Sequence, residues 1–556
     1  MGQEFKPSSG VLTGPGAVQI DAEVKSDMAA DGYADYLLYF DARPDLSPAY
    51  KMDWTERGRF VVESLQKTAA ESQAAAIAVL EASGTQYRSF WIDNVIAVRR
   101  SNQKTLHSVM YLPGVTRIVA SRELGIIESQ VSRVDEPQIL KAPMPSGDNE
   151  AEPNISHVGA PEVWSQGVNG TGIVVASIDT GARYTHSVLV NQYRGNNGDG
   201  TFSHEYNWYD EYNKVTEPID ENGNGSASMG IIVGADATGQ NRIGMAPGAS
   251  WITCRACGPA GCRDAALFAC AQWMVAPTDL NGENPDPDRR PHLVNNGWGD
   301  CDRSYDPWFE AVIDSWHAAG IYPIFSVGNA GSCGYSQPPG CNTIANPGRY
   351  GNVTAVGTTT ALGEYTGFST WGPTDNLDTI NAQGDPSIKP QVVAPGIDIR
   401  SSIADDDNAF GIRRGSSVST AHVSGLIALA WQAAPCLIGD YARTENLMEQ
   451  TATPIPYEST CGGEGEDNVP NHATGWGEIN AVGFVHAAKA VCGPHGTLKG
   501  QVTDQNGSPI KGVKVEVGGR SGKTNATGTY TIIAIPEGEH NAVFNHYQYQ
   551  SASQPV

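Results

Sequence analysis

The sequence predicts an α/β protein whose core is a parallel sheet covered by helices on both faces, with a smaller module before and after this core. Two continuous apolar runs support the prediction, because strands buried on both faces of a sheet lack polar alternation. The first run, residues 172–178, leads into Asp179, and the second, residues 324–327, lies just before Asn329. Helical stretches separate such runs, as in doubly wound folds, at 262–274 and 308–319.

The segment before the core predicts a small α+β module over residues 33–130. Its elements follow the order β-α-β-α-β, which fits a ferredoxin-like arrangement. They are predicted as a strand at 34–40, a helix at 53–82, a strand pair or long strand at 87–100, a helix at 103–112 and a strand at 115–121. Residues 1–32 are predicted to be a disordered lead, and residues 131–154, rich in Pro, Asp and Glu, a linker.

The core domain is predicted to occupy residues 155–492, after which the pattern of apolar and polar residues changes. Residues 496–556 contain short alternating segments separated by Asn-Gly and Asn-Ala-Thr-Gly turns, which predicts an all-β sandwich module. We expect this module to be incomplete, because a further strand would be needed after Val556 to close its edge.

Three polar residues in the core domain suggest a chemical role. Ser417 follows a Gly-Ser turn and starts an apolar segment, so it is predicted to lie near the N-terminus of a buried helix. Free N–H groups and the helix dipole can stabilise an oxyanion there, although Ser is also an ordinary N-cap residue. Asp179 and Asn329, at the ends of buried strands, add a carboxylate and an amide donor. Together the three are parts of a nucleophilic acyl-transfer site.

Four motifs, in this order, resemble the subtilisin family of serine peptidases. They are Asp179-Thr-Gly with His186, Val294-Asn-Asn-Gly-Trp-Gly299, Val327-Gly-Asn-Ala-Gly331 and Gly415-Ser-Ser-Val-Ser-Thr-Ala-His-Val-Ser-Gly425. The resemblance covers roughly residues 155–490, and the stretch 184–299 is most similar to the bacillopeptidase F branch. The N-terminal module resembles the family's inhibitory prodomain, and the C-terminal module resembles carboxypeptidase regulatory-like domains.

The resemblance implies roles for individual residues. Asp179 would be the acid of the catalytic triad, Ser417 the nucleophile and Asn329 the side-chain donor to the oxyanion. The backbone at 294–299 would pair with an extended peptide, as in other peptide-binding edges. The implied substrate-binding residues are Asn296, Gly297, Trp298 and Gly299.

The general base of the triad is replaced in this sequence. The family motif Asn-x-His-Gly-Thr-His corresponds to Asn222-Gly-Asn-Gly-Ser-Ala227, which places Asn224 at the catalytic His position. An amide oxygen is a poor proton acceptor, so Asn224 cannot take the Ser417 proton at neutral pH. Further differences from the family around Ser226 and Val418 favour a natural loss of the base over a single introduced change.

Composition excludes some classes of function. The net charge of −25 argues against binding to nucleic acid or anionic membranes, and no apolar run approaches the roughly 20 residues of a membrane span. Residues 1–30 show no signal peptide, and we expect that one was removed. No cofactor and no metal ligand set is predicted, although structural calcium stays open because relatives bind it.

Ten cysteines predict disulfides and therefore an oxidising, extracellular location. Cys257 and Cys262 bracket one turn-rich loop, Cys333 and Cys341 bracket another, and Cys436 and Cys461 flank a polar stretch. Cys254-Arg-Ala-Cys257 is alternatively half of a zinc site, but no second Cys-x-x-Cys accompanies it.

Three functions remain open at this point. The first is a secreted pseudoprotease that holds an extended peptide in its groove. The second is an active serine endopeptidase, if Asn224 is an introduced change or another base serves. The third is a structural or adhesive protein. In the first case the N-terminal module stays attached as an intramolecular partner, and the linker near 143–153 reaches the groove.

Overall fold

The computed structural model describes residues 18–125, 130–133, 151–301, 304–374, 388–462, 465–492 and 495–556, the last range without 519, 525–526, 537 and 547–548. Within these ranges the chain forms two compact units. The smaller unit consists of Met1–Leu46 and Phe60–Arg122, and the larger of Ser47–Arg59 and Glu123–Val556. The predicted linker residues 134–150, including most of the stretch expected to reach the groove, lie outside the described residues.

The smaller unit is built on a five-stranded sheet with the strand order β1-β5-β2-β4-β3. The pairs β5–β2, β2–β4 and β4–β3 are antiparallel, which is the ferredoxin-like arrangement that the sequence predicts, and β1 joins β5 in parallel. The elements of this part of the chain are β1 (Gln19–Ile20), α1 (Ala22–Asp31), β2 (Tyr33–Phe40), α2 (Trp54–Ser83), β3 (Gln86–Phe90), β4 (Val95–Asn102), α3 (Gln103–Val109) and β5 (Val115–Ala120).

The prediction of a disordered lead over residues 1–32 is wrong for residues 19–31, which form β1 and α1. Helix α1 begins where the Asp21 side chain accepts a hydrogen bond from the Glu23 N–H and ends at Gly32 in the left-handed conformation. Val24 is fully buried in the core of the unit. Burial of one apolar residue and two good caps outweigh the weak apolar pattern of this helix.

The larger unit contains a seven-stranded sheet in which every neighbouring pair is parallel. The strands of this unit are β6 (Glu123–Leu124), β7 (Gln130–Arg133), β8 (Val174–Asp179), β9 (Trp208–Asp210), β10 (Ser250–Arg255), β11 (Cys257–Gly258), β12 (Gly261–Arg263), β13 (Leu293–Asn296), β14 (Tyr322–Ser326), β15 (Thr354–Thr360), β16 (Val392–Ile397), β17 (Ile399–Ser402), β18 (Phe410–Arg414), β19 (His495–Gln501), β20 (Lys514–Val517), β21 (Arg520–Lys523), β22 (Thr529–Pro536), β23 (Asn541–His546) and β24 (Tyr549–Pro555).

Some helices of the larger unit precede the first strand of the parallel sheet, some connect its strands, and some follow the last strand. They are α4 (Pro153–His157), α5 (Ala160–Trp164), α6 (Asn224–Val233), α7 (Asp264–Val275), α8 (Glu310–Ala319), α9 (Ser416–Ala433), α10 (Tyr441–Thr451) and α11 (Ala481–Val491). No helix among the described residues is long and apolar enough to cross a lipid bilayer.

The strand order β16-β15-β14-β13-β8-β10-β9 reverses at β8. Chain segments therefore leave the carboxyl end of β8 and the carboxyl end of β13 in opposite directions, and a crevice opens between them. Ligand sites in open α/β sheets lie at this position. Asp179 is the last residue of β8, so the topology places it at the crevice.

Helix α9 carries Ser417 through the centre of the unit. All its residues from Ser416 to Trp431 are buried. Small side chains make this possible, because neighbouring elements approach the helix closely: a Cβ added to Gly425 would lie 2.4 Å from Met245 Cβ. The helix packs within an apolar core on one face of the sheet, to which the strands contribute Val175, Leu293 and Ile324.

Five disulfides join all ten cysteines. The pairs are Cys254–Cys270, Cys257–Cys262, Cys301–Cys333, Cys341–Cys461 and Cys436–Cys492. Of the three bracketing pairs noted in the sequence, only Cys257 and Cys262 bond to each other. The zinc alternative is excluded, because Cys254 and Cys257 are both bonded to other cysteines.

The C-terminal residues form the predicted all-β module. Strands β19 and β22 make a two-stranded sheet, and β21, β20, β23 and β24 make a four-stranded sheet. The apolar residues between them form a separate small core that includes Val515 and Ile532.

Candidate active site

The nucleophile side of the site is organised by Ser416 and Asn329. The Ser416 N–H donates to Asn329 Oδ1 at 2.8 Å, and the Ser416 hydroxyl donates to the same oxygen at 3.1 Å. Gly328 N–H donates to Ser416 Oγ at 3.2 Å. Because Oδ1 accepts both bonds from Ser416, Nδ2 is the atom of Asn329 that can donate to an oxyanion. Asn329 therefore lies beside the start of α9, as the sequence predicts.

Ser417 is the second residue of α9 and is 1% exposed. Its Oγ has no hydrogen-bond partner among the described residues. A buried hydroxyl without a partner loses the hydration it had in the unfolded chain. The nucleophile position is thus built, while no described group is in place to accept its proton.

The acid side of the site is formed by Asp179, which is 2% exposed. Its Oδ1 accepts a 2.7 Å bond from the Thr180 N–H, while Oδ2 has no partner in the part of the chain that the structure describes. Burial raises the pKa of Asp179 to about 7, and the nearby Asp220 also raises it. The Thr180 N–H and the Arg413 charge lower the same pKa but do not offset burial.

Gly297 lies between the two sides of the site. A Cβ added to this glycine would lie 3.1 Å from Ser417 Cβ and 3.5 Å from Asp179 Oδ2. The side chains of Ser417 and Asp179 therefore border the same residue. The structure brings the predicted nucleophile and acid together at the crevice beside β8.

Asn224 is the first residue of α6 and is buried next to the Asp179 loop. The following Gly225 donates its N–H to Thr180 Oγ1 at 3.0 Å. A Cβ at Gly225 would lie 1.9 Å from the Gly181 carbonyl oxygen, so only glycine fits. The start of α6, which carries Asn224, is therefore in contact with the loop that follows Asp179.

Asp220 fixes the start of α6 in the absence of an N-cap side-chain bond. Its carboxylate accepts from the Gly223 N–H at 2.7 Å and the Ser226 N–H at 2.8 Å. It also accepts from Thr180 Oγ1 at 2.8 Å. These bonds join α6 to the end of β8, and sequence reasoning did not identify this residue.

Arg413 is a second residue of the site that sequence reasoning missed. It is 2% exposed, and its Nη2 donates to the Gly223 carbonyl at 2.8 Å, one residue before Asn224. Burial lowers the pKa of Arg413, and the charges of Asp220 and Asp179 oppose this effect. A cation therefore faces the base side of the site. The Arg413-Arg414 pair directly before the Gly-Ser-Ser turn was the available signal.

Among the predicted substrate-binding residues, the side chains of Asn296 and Trp298 are buried within the protein. Strand β13 is paired on both sides, so its last residue, Asn296, has no open edge. The Asn296 amide donates internally to Val294 and Ile324 carbonyls, and the Trp298 ring is buried against Trp308. Backbone hydrogen bonds to an extended peptide would therefore have to come from residues 297–299, which follow the strand.

Two short strands from residues 123–133 flank the site. Strand β6 pairs antiparallel with β12, matching Leu124 with Cys262. Strand β7 pairs antiparallel with β18, matching Gln130 with Arg414, three residues before Ser417. Residues 126–129 between them lie outside the described residues. The sequence predicted peptide pairing at 294–299 and gave no indication of these two edges.

The other histidines near the motifs serve the fold. His186 Nε2 donates to the Ala409 carbonyl at 2.9 Å, and His422 Nδ1 donates to the Val418 carbonyl at 3.0 Å. Burial lowers the pKa of both, that of His422 to about 4. Neither bonds to Ser417 Oγ, so neither is in place to accept its proton.

Among the described residues, no group of three or more His, Cys, Asp or Glu side chains is arranged to hold a metal ion. The geometry of the site is that of an acyl-transfer centre in an open α/β sheet. It has a nucleophile at a helix start, an amide donor and a buried carboxylate, with an amide where the base is expected.

Comparison with known proteins identifies the family. Residues 170–477 match the subtilase family of peptidases, and residues 497–556 match the carboxypeptidase regulatory-like domain. The chain belongs to the subtilase family of serine peptidases.

Individual relatives agree with this assignment. Bacillopeptidase F of Bacillus subtilis (strain 168) is 34% identical over 464 residues, which cover 82% of this chain and 30% of that protein. The major intracellular serine protease of the same organism is 27% identical over 282 residues, or 50% of this chain and 75% of the relative. The predicted similarity to the bacillopeptidase F branch is confirmed, and the chain spans about a third of that protein's length.

A solved structure supports the fold. Fervidolysin from Fervidobacterium pennivorans, described as a keratinolytic enzyme related to subtilisin, aligns with a TM-score of 0.54 and 17% identity. The alignment covers 95% of this chain and 72% of that one. The predicted subtilisin-like fold is confirmed.

Proposed function

We propose that this protein is a catalytically silent subtilase that binds an extended peptide segment without cleaving it. The proposal is carried by two observations together, an amide (Asn224) at the position that the motif assigns to the base and a Ser417 Oγ that lacks a partner among the described residues. Without a proton acceptor, Ser417 stays a neutral hydroxyl and a weak nucleophile.

Peptide binding is supported by the two edges that accept strands. Backbone pairing of β6 with β12 and of β7 with β18 supplies hydrogen bonds that do not depend on side chains. The disulfide Cys257–Cys262 closes the hairpin of β11 and β12 and restrains the first edge. Because Glu123–Leu124 occupies one edge and Gln130–Arg133 the other, we interpret residues 33–130 as an inhibitor-like prodomain that competes with other peptides.

An extracellular location is part of the proposal. Five disulfides within one chain form and persist in oxidising compartments. The predicted loss of a signal peptide and the roles of calcium and of the C-terminal module stay predictions.

Active endopeptidase function is the second candidate. It is favoured by the intact nucleophile side, where Ser416 and Asn329 keep the bonds that orient an oxyanion donor. A purely structural or adhesive role is the third candidate, in which the C-terminal module would carry the function and the groove none.

Turnover of an unfolded protein such as reduced casein separates these candidates. We compare the wild-type chain, Asn224→His and the double variant Asn224→His with Ser417→Ala, each after removal of residues 1–133 by an added protease. The proposal expects no turnover by the wild type and by the double variant, and turnover by Asn224→His. Turnover by the wild type that Ser417→Ala abolishes would support the active endopeptidase and reject the proposal.

A further inference from the structure

A second contact surface lies at the amino ends of the parallel strands, whereas the crevice lies at their carboxyl ends. Residues Ser47–Arg59 belong to the larger unit, although both ends of this segment continue into the smaller one. They contact the carboxyl end of α8, which precedes the first residue of β14. The segment therefore meets the amino ends of the strands, whereas Asp179 and Asn329 lie at their carboxyl ends.

Arg57 fills a site made of backbone carbonyls. Its Nε donates to Ala318 O at 2.6 Å, Nη2 donates to His317 O at 2.5 Å, and Nη1 donates to Gly439 O at 3.3 Å. The side chain is 7% exposed, and burial lowers its pKa. The last carbonyls of a helix carry partial negative charge and lack partners within the helix. The Arg57 guanidinium has several donors in a fixed geometry, so one side chain can bond to several of these carbonyls.

Two glycines give the guanidinium room. Gly320 ends α8 in the left-handed conformation, and a Cβ there would lie 3.4 Å from the Arg57 guanidinium. A Cβ at Gly439 would lie 2.7 Å from Arg57 Nη1. The pocket is shaped for an arginine head group, and its three acceptors match the donors.

Arg290 and Trp54 close the contact from the other direction. Arg290 lies 3.7 Å from the centre of the Trp54 ring, donates to Trp54 O and donates to Ala319 O at 2.9 Å. The Trp54 ring stacks on His292. A Cβ at Gly58 would lie 2.2 Å from Arg290 Nη1, so alanine, which favours the helix, would force the Arg290 guanidinium to shift.

We propose that this pocket is a binding site for the segment Trp54-Thr-Glu-Arg-Gly58, separate from the catalytic groove. It keeps the N-terminal part of the chain bound after the connection through residues 134–150 is cut. The partner chemistry is an arginine one turn after a tryptophan at the start of a helix, followed by glycine. This binding does not depend on whether Ser417 is active.

The test uses the full chain with Ser417→Ala, so that no self-cleavage occurs, and a recognition sequence for a specific protease inserted between residues 140 and 146. After cleavage, the dissociation rate of the N-terminal fragment is measured by dilution and gel filtration. Arg57→Ala is expected to raise this rate about 100-fold, because hydrogen bonds to a charged donor are strong. Arg57→Lys is expected to give an intermediate rate, since an ammonium cannot reach three fixed carbonyls.

Arg59→Ala is the matched control, because Arg59 is 60% exposed and forms its ion pair with Asp288 at the surface. We expect its rate to stay within about threefold of the parent. Gly58→Ala is a second probe that favours helix formation yet removes the space for Arg290, and it is expected to speed dissociation at least tenfold. The melting temperature of each uncut chain reports folding. Equal dissociation rates for Arg57→Ala, Gly58→Ala and Arg59→Ala would overturn the proposal and leave the proposed function untouched.

Discussion

The nucleophile side and the base side of the site differ in the groups that they present. On the nucleophile side, Ser416 still holds Asn329 by two hydrogen bonds, and Ser417 still starts a buried helix. On the base side, α6 keeps its close approach to Gly181 and its bond to Thr180, but the catalytic position carries an amide. On the base side, the tight packing of Gly225 against Gly181 therefore accompanies an amide at position 224.

This difference shows that two kinds of constraint act on one motif. The glycine at 225 is fixed by sterics, because any side chain would meet a carbonyl oxygen. Under the proposed function, the requirement at 224 is one of proton transfer, and the amide is buried there at the first residue of α6. The proposal thus predicts a motif that keeps its packing without a proton acceptor.

The largest expected effect follows from restoring the base. With Asn224→His, a general base can accept the Ser417 proton, and the rate of Ser417 labelling by a fluorophosphonate is expected to rise about 10⁴-fold. The wild type should label slowly or not at all. Mass spectrometry of the labelled peptide measures the rate, and Ser417→Ala gives the background. Rapid labelling of the wild type would mean that another base acts, and the two sides would then not differ in function.

The second effect concerns the buried carboxylate of Asp179, whose Oδ2 has no partner among the described residues. Burial raises the pKa of Asp179 to about 7, so the folded protein holds a proton that the unfolded chain releases near pH 4. Stability contributed by this group is complete at low pH and is lost as pH rises through the interval from about 4 to about 7. Asp179→Asn removes this loss and should stabilise the domain at pH 8 by up to about 4 kcal/mol, with little change at pH 4.

Thermal unfolding from pH 4 to pH 8 measures this effect. Asp398→Asn serves as the control, because Asp398 is half exposed and pairs with Arg414 at the surface. A pH profile of Asp179→Asn that parallels the wild type would show that Asp179 is ionised throughout.

The third effect tests the steric constraint by comparing glycines of the two sides. Gly225→Ala places a Cβ 1.9 Å from Gly181 O, and we expect a loss of about 3 kcal/mol in the free energy of unfolding. Gly331→Ala, in the motif of Asn329, places a Cβ 3.5 Å from Gln337 Nε2, an ordinary contact. Its expected change is below about 1 kcal/mol. Equal losses, measured by chemical denaturation, would contradict the assignment of tight packing to the base side.

Much of this arrangement could be predicted from the sequence, for physical reasons. Asp179 and Ser417 follow strong local signals, namely an apolar strand and a Gly-Ser turn before an apolar helix. The strand pairing of Gln130–Arg133 with Phe410–Arg414 could not be predicted, because backbone pairing between distant segments needs no particular side chains. The same holds for Cys341–Cys461, whose partners are 120 residues apart. Arg413 was missed because its role depends on a carbonyl brought near by folding.

The smallest expected effect concerns the cation on the base side. Arg413 faces Asp179 and lowers its pKa, although burial of the carboxylate has the larger and opposite influence. Arg413→Met removes this charge, so the pKa of Asp179 should rise further. The pH at which the stability difference between the wild type and Asp179→Asn reaches half its value should then move upward by less than about one unit.

Arg414→Met is the matched control, because this neighbour is 46% exposed and pairs with Asp398. Because solvent screens the exposed Arg414, its loss should leave the midpoint unchanged. A shift of the same size with both variants would mean that net charge moves the pKa of Asp179. A shift with Arg413→Met alone would show that this one cation acts on Asp179.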